Sequence, residues 1–203
     1  MPAKPIRPTT AATPPTALGP LALAVPLLAA LALLLAGCSA DPVGNYLGGA
    51  GDNVRGAALY APQTLGDTSQ YQGRPAEAAL AAAQLEFLTS EVRDNPRIAP
   101  SVNPSLLSKL LVAQAEMRQA LAIAPQADAT LVLTQLRRAA AALQAGSQAG
   151  AEAALSGPAF PSGPLVTLAR LGSLPRLPRT AEAAGAAAQD FISAPDGGRP
   201  RRR

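Results

Sequence analysis

One cysteine, one serine–lysine pair and a short glycine run are the parts of this chain whose residue types could do chemistry. Cys38 is the only cysteine among 203 residues, and the sequence holds no histidine. A lone thiol cannot close a disulfide within the chain, and without histidine the usual general base near neutral pH and the commonest metal ligand are missing. Ser105 and Lys109 stand four residues apart, with Ser108 beside the lysine. Such a pair can supply a nucleophile and its base, but the established arrangement sets the lysine three residues after the serine. A solvated helix face is the expectation instead. Gly48, Gly49, Gly51 and Gly56 would suit a phosphate-cradling loop. No Lys-Ser or Lys-Thr pair closes that run and no strand precedes it, so it reads as tether. Glu77, Glu86, Glu91 and Asp94 punctuate one helix with no second acid-rich helix to face them, and are expected to be surface charge rather than a carboxylate metal site. No catalytic residue, metal site or cofactor is expected.

The surroundings of Cys38 say more than its reactivity. Met1 to Thr16 carries Lys4 and Arg7 and no acid, and from Ala17 to Ala36 every residue is uncharged. A basic start, an apolar stretch and small residues at its end are the three parts of a secretory signal. The stretch is long enough to span a bilayer, but Pro20 and Pro26 interrupt it, which tells against a permanent membrane helix. So long a charge-free run also tells against a buried cytoplasmic helix with a chance cysteine. The junction Leu35-Ala36-Gly37-Cys38 resembles the lipobox of bacterial lipoproteins, matching it position by position. The resemblance implies that the Cys38 thiol receives diacylglycerol and that signal peptidase II cuts between Gly37 and Cys38. It further implies acylation of the new amino group, and so a stable anchor, since one acyl chain holds weakly and two or more hold firmly. Ser39, where inner-membrane retention would place Asp, favours the outer membrane on the enteric sorting pattern.

Charge adds little. Removing Lys4 and Arg7 with the leader leaves 15 basic and 13 acidic side chains, and Arg199, Arg201, Arg202 and Arg203 exceed that difference. The body of the mature chain is slightly acidic, so nucleic acid is not an expected partner. The tail from Gly197 is expected to be disordered by composition; as a partner, anionic lipid or another envelope polyanion would suit it.

The elements that must position these residues follow from composition and period. The chain is 48% hydrophobic and only 3% aromatic, with Ala and Leu supplying most of the apolar share. Both are strong helix formers, and small side chains let helices approach closely, so the fold class is all-α, a small Ala/Leu-rich helical bundle. The expected organisation is a signal peptide over 1–37, a lipid-anchored tether over 38–73, the bundle over 74–193 and a basic tail over 194–203. Some of Tyr46, Leu47, Leu59, Tyr60, Leu65 and Tyr71 are expected to lie across the helices, the tyrosines alternatively serving as ligand-stacking groups.

The first helix is expected after Gly73-Arg74-Pro75, with Leu80, Ala83, Phe87, Leu88 and Val92 inward, ending at Asn95-Pro96. A second opens at Asn103-Pro104, burying Leu106, Leu107, Leu110, Leu111, Met117 and Leu121, with Ser108, Lys109, Glu116 and Arg118 mostly off that face. A third runs from about Asp128 to Gly146 on Leu131, Val132, Leu136, Ala140 and Leu143. Shorter helices are expected over 148–155 and 164–171, then an extended strap with Pro175 and Pro178. A last helix, capped by Thr180, follows over 181–192, docked by Phe191 and Ile192. The functional expectation is a lipid-anchored cell-envelope protein on the periplasmic side, structural or accessory to an envelope protein partner rather than an enzyme. The alternative is a helical module binding an apolar ligand or a partner helix.

Overall fold

A computed structural model describes residues 53–193; the leader, Leu35 to Cys38, Tyr46, Leu47, the Gly48–Gly51 run and the arginine tail lie outside them. The fold is all-α: seven α-helices and one 3-10 turn, with no strand among the described residues. The helices are α1 (Asn53–Leu65), α2 (Pro75–Asp94), α3 (Pro104–Leu121), α4 (Ala129–Gln144), α5 (Gln148–Ala154), α6 (Pro164–Leu171) and α7 (Pro178–Ser193), with the 3-10 turn at Thr68–Tyr71.

The centre of the bundle is α2. It packs against α1, α3, α4, α6 and the 3-10 turn, and residues Ala78 to Glu86 are buried without a break. A helix without a polar face is the kind that belongs inside a protein. Alanine makes this possible here, because a methyl side chain keeps the helix narrow where several neighbours must reach it. Pro75 sits in the first turn of α2, where its missing N–H has no intrahelical acceptor to serve. Gly73, at φ 73°, turns the chain into the helix and donates its N–H to Gly172 O at 2.8 Å.

Asn103 caps α3 as expected, accepting from Ser105 N at 2.9 Å, and Asp128, expected at the start of α4, serves as its cap by accepting from Leu131 N at 2.8 Å. Within the expected cores, Leu106, Leu110, Met117, Leu121, Val132, Leu136 and Ala140 are buried, while Leu111 and Leu131 are exposed. Each helix turns a narrower stripe inward than its run of leucines suggests, and the outermost leucine of each stripe stays in solvent. Gly146, at φ 71°, turns the chain between α4 and α5, as a residue free to adopt that conformation should.

Two boundaries differ from the sequence reading. Residues 53–72, expected as tether, belong to the bundle: α1 packs against α7 and α2, and Ala57, Ala58, Ala61 and Leu65 are fully buried. Val54, Ala57, Ala58, Ala61 and Leu65 do follow a helical period, but Gly56 and Pro62 disguise it. Pro62 removes the N–H that would reach Ala58 O, a loss that burial of the helix's apolar face offsets. Tyr71 is buried and its hydroxyl donates to Thr64 O at 2.8 Å, which makes it a core residue rather than a stacking platform; Tyr60 is exposed.

The second difference is the start of α7, at Pro178 rather than Ala181, so Thr180 lies in the first turn and is not the cap. The cap comes from α3. Glu116 Oε2 accepts from Thr180 N at 2.8 Å and Thr180 Oγ1 at 2.9 Å, while Oε1 accepts from Arg179 N at 3.3 Å. A carboxylate at a helix N-terminus meets both free N–H groups and the positive end of the dipole. Ahead of α7 the strap buries Leu174 and Leu177, and at its far end Phe191 is buried while Ile192 faces solvent.

Two substitutions test this packing. Ala122, just past α3, holds φ 55°, and Ile123 N donates to Arg118 O at 2.8 Å in the manner of a glycine-terminated helix. Ala122→Gly should therefore raise stability by about 1 kcal/mol. Ala82→Leu, at a position with no exposed surface, should cost about 1–3 kcal/mol. Chemical denaturation midpoints read both.

Candidate functional site

Burying α2 on every side from Ala78 to Glu86 obliges the polar side chains there to find partners indoors, and two networks result. In the first, Gln84 Nε2 donates to Ala57 O at 2.8 Å and Gln84 Oε1 accepts from Thr64 Oγ1 at 2.7 Å, stitching α2 to α1. The second joins α2 to α3. Arg118 Nε donates to Glu86 Oε1 and Nη2 to Glu86 Oε2, both at 2.7 Å, a two-pronged ion pair. Gln114, one turn before Arg118, donates to Glu86 Oε2 at 2.5 Å. The Glu86 and Arg118 side chains are only 3% and 7% exposed.

This placement corrects the expectation that Glu86 and Arg118 are surface charges. The signal was present for the arginine: Leu110, Gln114, Arg118 and Leu121 fall on one stripe of α3 at helical spacing. Reading residue type ahead of position puts Arg118 outside. For Glu86 no such signal exists, because α2 has no polar face from which to tell its inward residues.

Arg118 does a second job. Its Nη1 donates to Pro125 O and Ala127 O, each at 2.9 Å, and so suspends the α3–α4 connection from the helix that precedes it. Ala124 N fixes the same connection from the other side by donating to Ala159 O at 2.9 Å. Between this held segment and α3 lies a groove of about 520 Å³. Leu111, Gln114, Ala115 and Arg118 line it from the helix, and Ile123 and Pro125 from the connection. Its size falls within the ~300–1,000 Å³ of small-ligand sites.

The serine and lysine singled out in the sequence lie elsewhere. Ser108 and Lys109 line a smaller depression of about 180 Å³ with Val112, Arg179 and Glu182. Lys109 Nζ pairs with Glu182 at 3.1 Å, and the hydrogen bond from Lys109 holds the Glu182 carboxyl below its usual range. Ser105 is not part of that lining; its backbone N–H serves the Asn103 cap. Glu77, Glu91 and Asp94 stay at the surface region, Glu77 pairing with Arg74 at 2.6 Å and Asp94 with Arg93 at 2.8 Å. Among the described residues no group of three acids or cysteines is gathered to hold a metal ion.

Compared with protein-family models, with curated proteins and with solved structures, the chain matches none.

The buried pair makes a testable claim about cost. Arg118→Met alone leaves a buried carboxylate with its charge unanswered and should lower stability by about 3–5 kcal/mol. Adding Glu86→Leu to it should recover most of that loss, as read from denaturation midpoints of the two variants. A double variant no better than the single one would mean that the cost lies in the loop carbonyls instead.

Proposed function

We propose that this protein is a bacterial lipoprotein of the cell envelope, anchored by lipid on Cys38 after cleavage behind Gly37, and that it acts without enzymatic chemistry as a structural or accessory component. The observation that carries this reading is the sole cysteine, standing at the end of a charge-free leader and directly after Leu35-Ala36-Gly37. A residue type used once, at the one place where a lipid would be attached, is what an anchor requires. The membrane lipid is then the first partner and an envelope protein the second, with the periplasmic face of the outer membrane as the favoured site. The lack of histidine across the whole sequence supports a non-catalytic role.

Among the described residues no helix is long and apolar enough to cross a membrane. A second reading, a helical module that binds a ligand or partner, draws support from the groove on α3. It has half-exposed Leu111 at its edge and a rigid polar floor, the combination of apolar wall and few placed polar groups that ligand sites share.

Globomycin treatment, or Cys38→Ala, should leave an unprocessed precursor that runs more slowly on a gel and takes up no labelled palmitate. Normal processing under both conditions would remove the anchor from the account.

A further inference from the structure

The groove beside Arg118 has a more particular chemistry than its apolar walls suggest. Gln114 is 7% exposed, and its amide is locked in orientation: Nε2 must face Glu86, because a carboxylate only accepts. Its Oε1, with no hydrogen-bond partner among the described residues, remains as a fixed acceptor on a side chain that lines the groove. Arg118 uses Nε, both hydrogens of Nη1 and one hydrogen of Nη2, which leaves a single Nη2 N–H as a fixed donor one turn away. The guanidinium charge is answered by Glu86, so the groove has no excess charge with which to hold an anion. Exposed Gln119 and Gln126, both in the lining, add two more neutral amides.

A free acceptor beside a fixed donor, between apolar walls, matches the N–H and C=O that one residue of an extended chain turns to the same side. We infer that the groove binds an extended peptide segment of a partner protein. A backbone N–H of the segment meets Gln114 Oε1, a backbone carbonyl takes the remaining Arg118 Nη2 N–H, and an apolar side chain lies against Leu111 and Ile123. The segment must be extended, because the amides of a helix are already satisfied internally. This inference rests on the binding-module reading and narrows it from an apolar ligand or helix to a peptide strand.

The test uses the full chain in lipid nanodiscs with labelled isoleucine methyl groups, since Ile123 lines the groove and isoleucines are few. The probes are acetyl-Leu-Ala-Leu-amide, its analogue with the central amide replaced by an ester, and cyclohexanol. The peptide should shift the Ile123 methyl signal saturably, and the ester should need a concentration about tenfold higher, the effect of one lost hydrogen bond. Ala115→Trp, at an exposed groove position, should abolish the shift and leave the helical circular dichroism unchanged. Equal binding of ester and peptide would overturn the inference. Cyclohexanol moving Ile123 where the peptide does not would also overturn it, while leaving a binding groove in place. No response to any probe up to its solubility limit would remove both.

Discussion

The constraint on which this fold depends is the enclosure of α2. A helix touched by four others can offer each of them only a narrow surface, so its side chains must be small, and alanine fills the stretch from Ala78 to Ala83 except at Leu80. Small side chains bury little area apiece, so stability has to come from many close approaches rather than a few large anchors. Of the large buried groups, Leu85 and Leu88 lie beyond the alanine stretch on α2 itself, while Phe160, Met117 and the leucines of α1, α3, α4 and α6 lie on the surrounding elements.

Enclosure has a consequence for polar groups. Gln84, Glu86 and Thr89 lie on α2 where a surface helix would give them water. Thr89 turns back on Leu85 O at 2.8 Å, but Gln84 and Glu86 reach to other elements. A purely alanine interface between helices is smooth and specifies register weakly, whereas directional bonds at fixed heights do not slide. The Gln84 and Glu86 networks, two residues apart on α2, therefore set the height of α1 and α3 against the same central helix. Buried ion pairs are poor sources of net stability, and register is the better account of why one sits here.

The same logic links the core to the surface. Because Arg118 answers Glu86 with one edge of its guanidinium, the other edge is held still, and it holds the α3–α4 connection in turn. A loop fixed by the core makes a rigid wall, and a rigid wall beside a helix makes a groove whose shape exists before anything enters it. Elsewhere the same tactic recurs on a smaller scale: Glu116 of α3 caps α7, and Arg170 of α6 donates to Gln119 O and Ala120 O at the end of α3.

Legible in the residues alone were the helical class, the Asn103 cap, the acidic start of α4 at Asp128, the proline starts of α2, α3 and α6, and the narrow choice of residues able to bear chemistry. All of these follow from local rules of propensity, capping and period, which act within a few residues. The inclusion of α1, the start of α7 and the burial of Glu86 and Arg118 were decided by tertiary structure. Pro62 and Gly56 argue locally against a helix that distant α7 and α2 stabilise, and Thr180 looks like a cap until Glu116 arrives from α3. A charged side chain goes inside only when its partner is already there, and the partner of Arg118 stands 32 residues away on another helix. Such pairings lie beyond the reach of any local pattern, because the free energy that decides them belongs to two segments at once.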